Sequence, residues 1–288
     1  MPETQSSLEA TTPLLEIRNL RISFATAQGR TEAVRGVNFR MGRERIAVVG
    51  ESGSGKSITF RSLLGLLPGS ASMTADVMRL EGEDLLSLSA TGLRKLRGTR
   101  IGMVVQDPKQ GFDPIVTIGD QLAEMLRLHG KASNADIPQR VHEMLASVHI
   151  REPKHVAGLY PHLVSGGMAQ RAMLAMILAG EPDLLIADEA TSALDAVVRH
   201  HILDLIDEQV RLRGMGLVLI SHDLDLVAGY ADRFVVMYSG RVMEELPAGQ
   251  LGNAQHPYTR GLLNCRPSIG RPVGEDLPVL HREESWLQ

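Results

Sequence analysis

Residues Gly50–Ser57 read GESGSGKS, and their setting restricts the fold more than any other stretch of the chain. Before them, RIAVVG (45–50) is a continuous apolar run, the pattern of a strand buried on both faces. After them an apolar helical pattern continues to Leu67, where Pro68 and Gly69 stop it. In a loop between such a strand and helix, successive backbone N–H groups form an anion nest, and the helix N-terminus adds positive potential. Glycines open backbone angles closed to other residues and let phosphate approach. Gly50, Glu51, Ser52, Gly53, Ser54, Gly55, Lys56 and Ser57, with Ile58 opening the helix, are therefore the expected ATP-binding segment. Lys56 would reach the β- and γ-phosphates, and the Ser57 hydroxyl would bind Mg²⁺. The alternative, a chance Gly/Ser loop, does not account for the strand before it and the helix after it.

Four further runs have the length and apolarity of buried strands: IGMVVQ (101–106), DLLIAD (183–188), GLVLIS (216–221) and RFVVMY (233–238). Helical stretches separate them; in one, Val198, Ile202, Leu205, Ile206 and Val210 share a face. Buried strands alternating with helices imply an α/β fold with a parallel sheet covered on both sides. LLEIRNLRISF (14–24) and AVRGVNFRM (33–41) instead alternate apolar and polar positions, as half-buried antiparallel strands do. From about 107 to 180 the pattern is helical, which reads as a subdomain inserted into the sheet's connectivity. Residues 1–12 read as a disordered tail, 13–267 as the folded domain with a C-terminal extension over about 247–267, and 268–288 as a loosely ordered tail.

Composition narrows the function classes. An apolar fraction of 43% supports a large core, and aromatics at 3% make that core aliphatic. A net charge of −4 is a poor match to nucleic acid. Cys265 is the single cysteine, so neither an internal disulfide nor a four-cysteine metal or iron–sulfur site can be built. No apolar stretch reaches the roughly 18 residues of a membrane span, and MPETQSSLEATT lacks an apolar signal core. Action at a membrane would then require a partner.

The second motif is DLLIADE (183–189), an apolar run ending in adjacent carboxylates. Asp188 would support the Mg²⁺ through water, and Glu189 would polarise the water attacking the γ-phosphate. An acidic pair ending a strand can also be a helix cap or turn; beside a phosphate loop, catalysis is the better reading. The third is Val164-Ser165-Gly166-Gly167-Met168-Ala169-Gln170-Arg171, about twenty residues before the acidic strand. With that SGG between the two, the chain resembles the ATP-binding cassette (ABC) superfamily over roughly residues 14–265.

The resemblance implies the ABC ATPase fold: a P-loop NTPase (RecA-like) core, an antiparallel β subdomain and an inserted helical subdomain. It also implies further roles. Gln106 looks like the Q-loop glutamine that contacts Mg²⁺. Ser192, Ala193, Leu194 and Asp195 resemble the D-loop, and His222 resembles the switch histidine at the γ-phosphate. Phe24 lies where the family stacks an aromatic on adenine; core packing is its rival reading. Departures stand out at the signature, with Met168 where many members have glutamine and Val164 where leucine is common, and at Ala190, where proline usually follows the acidic pair.

In this superfamily Ser165, Gly166, Gly167 and Met168 cap ATP held by another cassette, so a second ABC ATPase subunit is an expected partner. QDPKQGFDPIVTIGDQL (106–122), YPHLVSGGMAQR (160–171) and HPYTRGLLNCRPS (256–268) resemble the dipeptide, oligopeptide and nickel importer ATPases. That implies a paralogous cassette ahead of a copy of itself, integral membrane permease subunits, an extracytoplasmic solute-binding protein acting indirectly, and a peripheral place on the cytoplasmic face of the membrane. The permease would dock within about 107–160. His200-His201 suggests nickel handling only weakly, because adjacent helix positions point apart. A soluble cassette acting on nucleic acid or ribosomes is the reading from another class; tandem cassettes, basic arms or long coiled-coil insertions that would mark it do not occur here. Replacing Lys56 with alanine is expected to weaken nucleotide binding or turnover, because a central phosphate partner is lost; titration with ATP and an ATPase assay check this.

Overall fold

The computed structural model describes residues 12–265, apart from Gln28 and Ala193, together with Trp286. The side chains of residues 109, 110 and 196 are likewise outside the description. The tails expected over 1–12 and 268–288 lie, but for Thr12 and Trp286, outside the described residues.

Along the chain run β1 (Leu15–Thr26), β2 (Gly29–Met41), β3 (Arg45–Val49), α1 (Lys56–Leu63), β4 (Ala71–Thr74), β5 (Val77–Leu80) and β6 (Glu83–Asp84). Then come α2 (Ala90–Leu96), β7 (Ile101–Val104), α3 (Ile118–Leu128), α4 (Ile137–Ser147), α5 (Pro153–Ala157), α6 (Gly166–Leu178) and β8 (Leu184–Asp188). The chain continues through α7 (Ala196–Arg213), β9 (Gly216–Ser221), α8 (Leu224–Ala228), β10 (Arg233–Tyr238), β11 (Arg241–Pro247) and α9 (Pro257–Asn264).

The strands form two sheets. One has six strands in the order β11-β10-β3-β9-β8-β7, parallel except for β11 at its edge. The other is antiparallel, in the order β2-β1-β5-β6, with β4 also paired to β1. The five continuous apolar runs are the five parallel strands, and the two alternating segments are β1 and β2. Short β4, β5 and β6 carry no distinct pattern in the sequence, and β11 is too charged to read as a buried strand.

Side-chain alternation explains why the parallel strands read as unbroken apolar runs. Ile46 and Val48 of β3, Ile186 of β8, Val218 of β9 and Val235 of β10 face a core shared with β1, β2 and α1. Their neighbours Ala47, Val49, Leu185, Leu217, Leu219, Phe234 and Val236 face a second core built with the inserted helices and α7. A strand buried on both faces has no polar side to show. In α7, Ile202, Leu205, Ile206 and Val210 are buried and Val198 packs at the edge, as their shared face predicts.

One helix end differs from the sequence pattern. α1 stops at Leu63 rather than running to Leu67. Gly65 takes a φ of +61°, and Leu66 N–H returns to the Arg61 carbonyl at 3.1 Å, so the turn closes before Pro68. α1 is fixed from beneath by Phe60, 1% exposed, whose ring meets Phe39 edge-on with centroids 5.2 Å apart. Truncating Phe60 to alanine is expected to cost about 3–5 kcal/mol of stability; the shift in denaturant midpoint of the nucleotide-free protein measures it.

Candidate functional site

Strand register brings three distant segments to one edge of the parallel sheet. Val49 at the end of β3 pairs with Ser221 at the end of β9, and Asp188 at the end of β8 pairs with Ile220. Gly50, Glu189 and His222 are the next residues of their segments, so all three emerge together at the carboxyl edge, where open parallel sheets bind ligands.

The loop leaving β3 is shaped by contacts that admit only glycine. Gly50 has φ +149°, and a Cβ there would lie 2.0 Å from the Met237 carbonyl oxygen. Gly55, at φ +96°, would place a Cβ 2.7 Å from the Ala33 carbonyl oxygen. Ser54 is 3% exposed, and its carbonyl accepts from Gly240 N–H at 3.0 Å. Lys56 is 4% exposed. Its Nζ donates to the carbonyls of Gly50 and Glu51, both at 2.8 Å, and to Ser54 Oγ at 3.4 Å. Burial pushes the Lys56 pKa below its ordinary value, against the opposing pull of Glu189, Asp188 and Glu51.

Asp188, 3% exposed, is satisfied from one helix face. Ser57 Oγ donates to its Oδ1 at 2.6 Å, while Arg61 Nη2 and Nε donate to Oδ2 at 2.8 and 3.2 Å. Ser57 and Arg61 stand four residues apart and so share that face. Arg61 belongs to no motif in the sequence; its i, i+4 relation to Ser57 is the one signal that could have marked it.

Glu189 sits at φ +48°, a left-handed conformation uncommon for a residue with a side chain. Its N–H donates to Ile220 O at 3.0 Å, and its carbonyl accepts from Ser192 N–H and Oγ, each at 3.1 Å. Ala190, which departs from the proline usual at this position in the family it resembles, lies buried in this turn. The Glu189 carboxylate meets His222 Nδ1 at 3.4 Å, pairing the two residues assigned to hydrolysis.

Other motif residues lie apart from this cluster or around it. Gln106 is exposed, two residues beyond the end of β7 rather than at it. Phe24, in β1, is partly buried against the core between the sheets. Ser165 caps α6, accepting from Met168 N–H at 3.3 Å. The Cα hydrogens of Gly166 and Gly167 face Leu194 and Val198, so the signature packs beside the D-loop segment. Asp195 caps α7 by accepting from Val198 N–H at 3.0 Å. Ala193 lies outside the described residues. Among the described residues no helix is long and apolar enough to cross a membrane, and no group of three or more His, Cys, Asp or Glu could hold a metal by itself.

Residues 34–192 match the model of the ABC transporter family. Over 269 residues the chain is 43% identical to the dipeptide transport ATP-binding protein DppD of Bacillus subtilis, covering 92% of this chain and 80% of DppD. Identity to the oligopeptide transport ATP-binding protein OppD of Bacillus subtilis is 40% over 272 residues, 93% of this chain and 76% of OppD. Among solved structures, that of MJ0796, described as the dimeric structure of a bacterial ABC transporter cassette, matches with a TM-score of 0.72 at 25% identity, over 81% of this chain and 98% of that one. Substituting Arg61 by alanine strips two donors from a buried carboxylate. The nucleotide-free protein should lose about 1–3 kcal/mol of stability, measured by chemical denaturation.

Proposed function

From the premise that this chain belongs to the ABC transporter family, we propose that it is the ATP-hydrolysing subunit of an importer of dipeptides or oligopeptides. The observation that carries the ATPase reading is the convergence of Lys56, Ser57, Asp188, Glu189 and His222 at one sheet edge. Relatives named for dipeptide and oligopeptide transport, aligned over nine-tenths of the chain, support peptides rather than nickel.

In this reading backbone amides of the 50–57 loop other than that of Glu51, together with the Lys56 ammonium, cradle the β- and γ-phosphates of ATP. Ser57 and Asp188 offer hard oxygen donors side by side, 2.6 Å apart, which suits Mg²⁺, an ion usually held by one or two protein ligands plus phosphates. Ser57 would hold the ion directly and Asp188 through water, with Gln106 as a further contact. Bound there, Mg²⁺ neutralises charge on the phosphate oxygens. Glu189 orients and deprotonates the attacking water, and its contact with His222 keeps the carboxylate aimed at the sheet edge. His222 contacts the γ-phosphate. Phe24 stacks on adenine with the face it does not bury against β1's own core.

Ser165, Gly166, Gly167 and Met168 serve ATP on a second cassette, and the D-loop, Ser192 to Asp195, lies along that contact. The dimeric state of the MJ0796 cassette supports such a pairing. A paralogue is the proposed partner cassette. Membrane permease subunits, contacted within about 107–160 of the helical subdomain spanning 107–180, place the chain at the cytoplasmic face of the membrane. A solute-binding protein feeds the permease from outside. No part of this scheme involves nucleic acid. The domain proposed for these roles spans 13–267, with 247–267 as its C-terminal extension.

Replacing Glu189 with glutamine is expected to retain ATP binding, slow hydrolysis by about a hundredfold or more and stabilise the closed cassette dimer. ATP turnover and size-exclusion chromatography with ATP check this; near-normal turnover would remove Glu189 from the base role.

A further inference from the structure

The peptide group joining Gly50 to Glu51 is held from both sides. Its carbonyl oxygen accepts from Lys56 Nζ at 2.8 Å, and its N–H donates to Tyr258 Oη at 3.0 Å. In a trans peptide the C=O and N–H point in opposite directions, so a plane bonded at both ends cannot rotate without breaking one bond. It cannot shift sideways either, because Gly50 lies against the Met237 carbonyl, with no room even for a Cβ. The orientation of this plane therefore sets one of the three acceptors that hold the Lys56 ammonium, beside the Glu51 carbonyl and Ser54 Oγ.

Tyr258 is itself immobilised. It is fully buried on α9, in the extension beyond β11. Its ring packs on Tyr238 at 4.5 Å and on Trp286 at 5.9 Å between centroids. Glu244 of β11 anchors the start of α9 by accepting from Gln255 N–H at 2.7 Å and His256 N–H at 3.2 Å. His256 Nδ1 then accepts from Tyr258 N–H at 3.1 Å. The hydroxyl is thus delivered to the loop by a rigid element that lies outside the 34–192 span matched by the family model.

We propose that Tyr258 is a positioning residue for nucleotide binding: its hydroxyl fixes the 50–51 peptide plane, and that plane sets Lys56 for the β- and γ-phosphates. Resting on the ATP-binding role of Lys56 proposed above, the inference makes the C-terminal extension a structural part of the phosphate site. Removing the hydroxyl takes away the acceptor that Tyr258 offers to the half-buried Glu51 N–H and lets the plane turn, while the ring and its packing remain.

The test is Tyr258→Phe in the full chain, titrated separately with ATP, ADP and AMP. ATP and ADP affinity should fall roughly tenfold, whereas AMP, which lacks the phosphates that Lys56 reaches, should bind as it does to the wild type. In the assembled transporter ATPase the loss should appear in KM with kcat retained. ATP and ADP affinities within about twofold of wild type would overturn the proposal, as would an equal loss for AMP, the mark of general loosening. Failure of the wild-type chain to bind ATP would instead overturn the ATPase reading. Amide hydrogen exchange of the nucleotide-free wild type gives a second readout that does not depend on the variant folding. The Glu51 N–H should be strongly protected, and fast exchange there would overturn the proposal.

Discussion

Everything at the site depends on parallel strands that end level. β3, β9 and β8 are hydrogen-bonded neighbours, and their last residues fall within one step of one another in register. A single-residue slip would turn each strand's apolar set to the opposite face and carry its last residue away from the edge. Burial on both faces forbids such a slip, because the apolar side chains of these strands are divided between two cores. The same burial that makes the runs apolar therefore holds a phosphate loop, an acidic pair and a histidine at fixed separations.

The loop adds its own constraint. Lys56 is a cation folded back among carbonyls and a hydroxyl, in a pocket that Gly50 and Gly55 keep close to neighbouring backbone. Desolvation works against its charge while three carboxylates favour it. In the proposed role such a group would exchange carbonyl contacts for phosphate oxygens, which bind an ammonium more strongly. Asp188 is in a similar state: it is buried but satisfied by Ser57 and Arg61. Both side chains are therefore held in place by partners within the protein, which nucleotide binding in the proposed reading would exchange for phosphate and Mg²⁺.

A large part of this was legible in the sequence. GESGSGKS between a strand and a helix, DLLIADE at a strand end and SGG at a helix start each name residue types whose chemistry is specific. The five buried strands were legible because burial on two faces removes polar residues. β4 to β6 were not, because strands of two to four residues are too short to show a period. Arg61 and Tyr258 were not legible as site residues, since each acts through a partner far away in sequence, Asp188 and Glu51 respectively.

The sequence by itself determined which groups are on offer: a glycine-rich loop with its lysine and serine, carboxylates that end a strand, and the motifs by which the chain is a member of the ABC superfamily. Local residue type and spacing suffice for that, because a glycine-rich turn before a helix is a local object. Only the tertiary structure decided which of these groups meet. The 3.4 Å contact of Glu189 with His222, the closure of Ser57 on Asp188 and the bracing of the 50–51 peptide by α9 arise from strand register and packing. Those are long-range constraints, satisfied only when both cores close around the sheet, and no local pattern encodes them.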